Sequence, residues 1–128
     1  LGKGRYKRAA FLLHQAAGSL YRCVLLVSTF YTPHVHNLAF LRTQAERLDY
    51  RLFNIWPRGS RKERAMFEKL TDAYVKARYS KHYRITQEEL IWLGAQVEEL
   101  GRVVHSICSE RIADLERQDS ISKTPKAT

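Results

Sequence analysis

Between residues 6 and 31 the apolar side chains fall in steps of four and three: Tyr6, Ala10, Leu13, Ala17, Leu20, Val24, Val27 and Tyr31. That spacing puts all eight on one stripe of an α-helix. A second stripe, Leu12, Ala16, Cys23, Leu26 and Phe30, runs beside it, and Arg22 is the only permanent charge between Arg8 and Arg42. A helix apolar over so much of its circumference is expected at the centre of a bundle or at a subunit contact. It is not expected to be a membrane span, which needs about 20 predominantly apolar residues. Here His14, Gln15, Ser19, Arg22, Ser28 and Thr29 interrupt the stretch, and no unbroken apolar run in it is longer than the five of residues 23–27. The charged start and small-residue cleavage site of a secretory signal are absent from it. The expectation is a cytoplasmic protein with no membrane partner.

The rest of the chain has the same period. Thr32-Pro33 stops the first helix, because proline cannot continue it. A second helix is predicted over residues 37–48, with Leu38, Leu41, Ala45 and Leu48 inward. Residues 49–59 contain Pro57 and Gly59 and read as a loop. Ser60-Arg61-Lys62-Glu63 is a capping box that opens a third helix carrying Met66, Phe67, Leu70, Tyr74 and Ala77. The period breaks over residues 79–85. Thr86-Gln87-Glu88-Glu89 is a second capping box, and Leu90, Leu93, Val97, Leu100, Val104 and Ile107 form one stripe of a last helix that fades near Arg117. No segment alternates with period two for long enough to make a strand. The predicted fold is all-α, an up-and-down four-helix bundle with a long central first helix, over residues 1–117. Residues 118–128 read as a polar, flexible tail. Leu1 stands first and Met66 is the single methionine, so the chain is read as a module of a longer protein.

Charge narrows the partners. Twenty-two Lys and Arg face thirteen Asp and Glu, a net charge of +9. Ten of the bases (Arg51, Arg58, Arg61, Lys62, Arg64, Lys69, Lys76, Arg78, Lys81 and Arg84) lie in residues 51–84, against Glu63, Glu68 and Asp72. Lys3, Arg5, Lys7 and Arg8 add to them at the N-terminus. So basic a strip, interleaved with Phe53, Trp56, Phe67, Tyr74, Tyr79 and Tyr83, suits phosphates and stacked bases. The competing reading makes the aromatics core and the bases a solvated face. On it Phe67 and Tyr74 are core, and only residues 79–84 remain a mixed site. Cys23 and Cys108 read as small reduced core residues. His34 and His36 lack a companion Cys or carboxylate at ligand spacing, so no metal is expected. No P-loop, Gly-rich nucleotide fingerprint or serine-nucleophile motif occurs, and no cofactor is expected.

Residues 9–17 (AAFLLHQAA), His36-Asn37-Leu38 and residues 73–79 (AYVKARY) together resemble the HEPN family, the higher eukaryotes and prokaryotes nucleotide-binding domain. The first is similar to its long first helix, the second to its His-Asp-Leu opening of helix two, and the third to its Arg-Tyr signature. Gly18, Ser19 and Ser80 depart from the residues usual in the family. The likeness is greatest to HEPN domains that follow a minimal nucleotidyltransferase domain.

The resemblance implies a nucleotide- or polyanion-binding accessory domain, partnered with a nucleotidyltransferase in cis or in trans and dimeric. It places Arg78 on phosphate with Lys81, His82 and Arg61 as further cations. Tyr79 or Tyr83 would stack on a base, and His14, Gln15 and His36 would line the same cleft. A second expectation is a metal-independent ribonuclease of the toxin type, with Arg78 and His82 as catalytic pair. Only three residues separate those two, against the family's four to six. Arg8 and His14 have the spacing but lie about 240° apart on their helix. A third expectation is a purely structural dimerisation domain.

Overall fold

The structure is a computed structural model. It describes residues 2–123, with side chains for residues 4–76 and 79–121. Five α-helices follow one another: α1 Gly2–Thr29, α2 Leu38–Leu48, α3 Arg61–Asp72, the single-turn α4 Lys76–Tyr79, and α5 Gln87–Lys123. A 3-10 helix, Tyr50–Asn54, lies between α2 and α3. There is no strand among the described residues, and the four principal helices form the all-α bundle that the periodicity predicts.

Long α1 and α5 pack along each other as the axis, and α2 lies against α1. Ala10, His14, Ala17, Tyr21, Val24 and Leu25 supply the buried side of α1, and Leu93, Val97, Leu100, Val104 and Ile107 that of α5. Each fully buried Leu or Val removes enough apolar surface from water to contribute about 1.5–3 kcal/mol. The capping box at Thr86 forms in full, and at Ser60 the hydroxyl caps α3 without the return bond to its own N–H. Ser60 Oγ accepts from Glu63 N at 3.1 Å, and Thr86 Oγ1 accepts from Glu89 N at 3.1 Å while Glu89 Oε1 accepts from Thr86 N at 2.9 Å. Asn37 caps α2, its Oδ1 accepting from Phe40 N at 3.0 Å.

The bundle covers most of the first stripe of α1 and leaves the second open: Leu12, Leu26 and Phe30 are 58%, 49% and 69% exposed, and Ala16 and Cys23 face solvent with them. Several expectations are corrected. Cys23 is thus no core residue, and Cys108 is only half-buried. Helix α1 stops at Thr29, before the Thr-Pro pair. Phe30 takes the left-handed conformation (φ 61°), Thr29 Oγ1 donates to Leu25 O at 2.6 Å, and Tyr31 is exposed. Leu48, expected inward, is exposed.

Residues 49–59 are not a plain loop. Leu52, Ile55 and Trp56 turn into the core, where Trp56 Nε1 donates to the buried Tyr21 Oη at 2.8 Å. The third helix ends at Asp72, earlier than its apolar spacing suggests, and Tyr74 sits in the turn before α4. Helix α5 runs past Arg117 to Lys123, and residues 124–128 of the expected tail lie outside the described residues.

By length and composition alone the Gly4–Thr29 part of α1 is long and apolar enough to cross a bilayer: an 18-residue window in it has a mean hydropathy of 1.4, and 39% of that window is buried inside the bundle. The core helix of a compact domain meets the same criteria, and here Arg22, midway along α1, donates to Val35 O at 2.9 Å.

Candidate functional site

Phe11, His14 and Gln15 occupy positions three and four apart on α1, so they share one patch of its surface. His36 stands just before the cap of α2. Tyr74 enters from the turn after α3, which closes when Ala73 N donates to Leu70 O at 3.1 Å. These three chain segments meet around the Tyr74 ring. Its centroid lies 4.5 Å from that of His36 (planes at 11°), 5.3 Å from His14 (29°) and 5.9 Å from Phe11 (20°). Tyr74 is half-buried and His36 exposed, so the stack opens to solvent at the His36 side.

Among the described residues His14 is the one buried polar side chain of the core, 2% exposed. Its Nδ1 lies 3.4 Å from Gln15 Oε1, while Nε2 is buried and has no hydrogen-bond partner. Burial holds its pKa below the ordinary histidine value; Gln15 and the nearby His36 carbonyl oppose that shift only in part. A neutral imidazole has one N–H and one lone pair. In the tautomer that donates Nδ1–H to Gln15 Oε1, the lone pair of Nε2 is left without a donor. Thr32 Oγ1, in the segment leading to His36, is also buried and without a partner. Lys7 Nζ donates to Ser80 O at 3.3 Å and ties the start of α1 to the end of α4.

The structure therefore brings together His14, Gln15 and His36, and adds Tyr74 and Phe11, which residue pattern alone assigns to core or leaves unmarked. Tyr79 is exposed at the end of α4; the side chain of Arg78 lies outside the described residues. His82 and Lys81 are exposed. His82 lines a separate depression of about 490 Å³ with Lys69, Lys76 and Arg84. Two candidates are displaced. Tyr83 is buried, its Oη donating to Lys69 O at 2.8 Å, so its ring is not available to stack on a base. Arg61 opens α3, whereas Tyr74 follows that helix's end; twelve residues at about 1.5 Å per residue separate them by about 18 Å. No cluster of three or more metal-ligating side chains occurs among the described residues.

A family model for the HEPN domain matches residues 1–107. The chain belongs to the HEPN domain family. The match takes in α1 through α4, the first part of α5 and every residue of the ring stack. No curated protein matches the chain. Within this HEPN fold the segment between α1 and α2 brings His36 to the ring stack. Arg22 holds that segment at Val35, next to His36, and so sets the imidazole against Tyr74.

Proposed function

We propose that this HEPN domain binds a nucleotide or RNA at the His36–Tyr74–His14 stack together with Arg78 and Tyr79 of α4, as an accessory to a nucleotidyltransferase supplied in cis or in trans. HEPN domains as a family are linked to nucleotides and RNA. The observation that carries the reading is His14. A buried nitrogen without a partner costs about 1–3 kcal/mol relative to a satisfied one, and proteins keep such groups where a ligand or water completes them. The stacked rings beside it offer a face to a base. Arg78, one residue before exposed Tyr79, supplies a guanidinium whose planar fork suits phosphate better than an ammonium. Lys81 and His82, two and three residues beyond Tyr79, extend the positive field.

The test is titration of a fluorescent nucleotide or short RNA against wild type, Arg78→Ala and Arg78→Lys, with thermal melts alongside. A bidentate phosphate contact loses about 1–3 kcal/mol in both variants with the fold intact. Unchanged binding in a folded Arg78→Ala removes Arg78 from the site.

A second reading concerns assembly and is favoured by the exposed stripe Leu12, Ala16, Cys23, Leu26 and Phe30 on α1. Such a face suits an isologous contact between two copies. Sedimentation at micromolar concentration is expected to give twice 15.0 kDa. A mass of 15.0 kDa contradicts it.

A further inference from the structure

Away from the ring stack, a cleft of about 640 Å³ opens between α2 and α3. Four arginines line it: Arg42 from α2, Arg58 from the connection, and Arg61 and Arg64 from α3. Their carboxylate neighbours in the lining are Glu46 and Glu68, which leaves two positive charges in a concave space.

Glu46 is already shared. Arg58 Nη2 donates to Glu46 Oε1 at 2.7 Å and Oε2 at 2.6 Å, and Arg42 Nε donates to Oε2 at 3.0 Å. The aromatic floor holds both guanidinium planes, Arg42 over Phe67 at 4.2 Å and Arg58 over Phe53 at 3.8 Å. Arg64 Nη1 donates to the Arg58 carbonyl at 2.9 Å, which leans its head toward the cleft. Arg61 is exposed, and among the described residues its side chain makes no hydrogen bond or ion pair. Two of the four guanidiniums thus build and orient the walls, and the other two lack a carboxylate. Like charges gathered in a concave, partly desolvated space repel one another, and a counter-anion seated between them is favoured.

We infer that this cleft binds a phosphomonoester dianion, the terminal phosphate of a nucleotide or of a 5′-phosphorylated strand. The charge is matched: such a group carries about −1.5 to −2 at neutral pH, with a second pKa of about 6. A single carboxylate or an internal phosphodiester, with one negative charge, leaves the surplus half-compensated. The volume is within the roughly 300–1,000 Å³ of small-molecule sites, so there is room for the group that bears the phosphate. Arginine forks bind tetrahedral oxyanions through paired N–H donors. Arg61, at the start of α3, lies about 18 Å along the helix from Tyr74, and binding in the cleft does not depend on the ring stack being occupied.

The experiment compares fluorescent decanucleotide RNAs of one sequence with a 5′-phosphate or a 5′-hydroxyl, and in parallel inorganic phosphate, AMP and adenosine as competitors. Wild type is expected to prefer the 5′-phosphorylated strand about tenfold. Phosphate and AMP, but not adenosine, are expected to compete that preference away, and it should weaken as pH falls below about 6. AMP competing much more strongly than phosphate identifies the nucleotide as occupant, and equal competition identifies the phosphate group alone. The Arg61→Ala/Arg64→Ala variant is expected to lose the preference and keep its affinity for the 5′-hydroxyl strand. If the double variant melts early, Arg61→Ala alone serves, since that side chain supports nothing else. Equal binding of both strands by wild type, or a preference that survives Arg61→Ala/Arg64→Ala, overturns the inference. Failure of the 5′-hydroxyl strand to bind at all counts instead against the ring-stack site.

Discussion

Tyr21→Phe removes one oxygen from the middle of the core and tests how the connection between α2 and α3 is held. Tyr21 is fully buried on α1, and its Oη accepts the Trp56 indole N–H at 2.8 Å. The substitution leaves the ring and nearly all apolar packing in place, so the transfer term is small. What changes is the indole N–H, which loses its acceptor where water has no access. A buried donor left unmade costs about 1–3 kcal/mol. We therefore expect about 2 kcal/mol, and at about 4 °C per kcal/mol for a domain of this size a Tm about 8 °C lower. Urea unfolding of wild type, Tyr21→Phe, Trp56→Phe and the double variant completes a cycle. Once Trp56 is gone, removing the Tyr21 hydroxyl should cost little, because no donor is orphaned. A loss under about 0.5 kcal/mol in Tyr21→Phe, or additive losses in the cycle, would refute the reasoning.

Two further outcomes follow from single features of the fold. Phe30→Gly is expected to stabilise the domain by about 1 kcal/mol in urea unfolding, because glycine adopts the left-handed cap without the Cβ clash that costs other residues about 1–2 kcal/mol, and the exposed Phe30 ring gives up little burial; destabilisation would show the ring packing matters more than the strain. Histidine 14 gives a pH signature: its folded pKa lies below 6.5, so the unfolded chain takes up the proton first on acidification. The stability this group contributes is complete above about pH 6.5 and is lost as pH falls through the folded pKa. Denaturation midpoints should therefore fall with pH in this range for wild type and flatten in His14→Leu; equal slopes would place the titration elsewhere.

Much of the architecture was legible because it is written locally. Capping boxes at Ser60 and Thr86 and the stripe Leu93, Val97, Leu100, Val104 and Ile107 need only neighbouring residues to be read. Periodicity shows that a face is apolar but not whether the bundle or a subunit contact covers it, and only the structure shows that Leu12, Leu26 and Phe30 lie outside the bundle. The connection at residues 49–59 carries Pro57 and Gly59, and that turn chemistry conceals that Leu52, Ile55 and Trp56 fill the space beside Tyr21. In the site, His14 and Gln15 were visible as polar residues within an apolar helix, and His36 through the family motif. Their meeting around Tyr74 depends on α3 ending at Asp72, a tertiary outcome that apolar spacing through Tyr74 and Ala77 does not show. Tyr83 was misread for a related reason: a short aperiodic segment rich in charge carries no sign of which ring turns inward.

The proposed ring-stack site is tested most directly by following the histidine side-chain resonances by NMR while a short RNA is titrated into the domain. The chain has five histidines, His14, His34, His36, His82 and His105, so the reporters cover several surfaces. Binding at the stack is expected to shift His14 and His36 together, with one affinity, and to leave His105 on α5 unmoved. Saturable RNA binding that shifts His82 or His105 while His14 and His36 stay in place would contradict the assignment of the site.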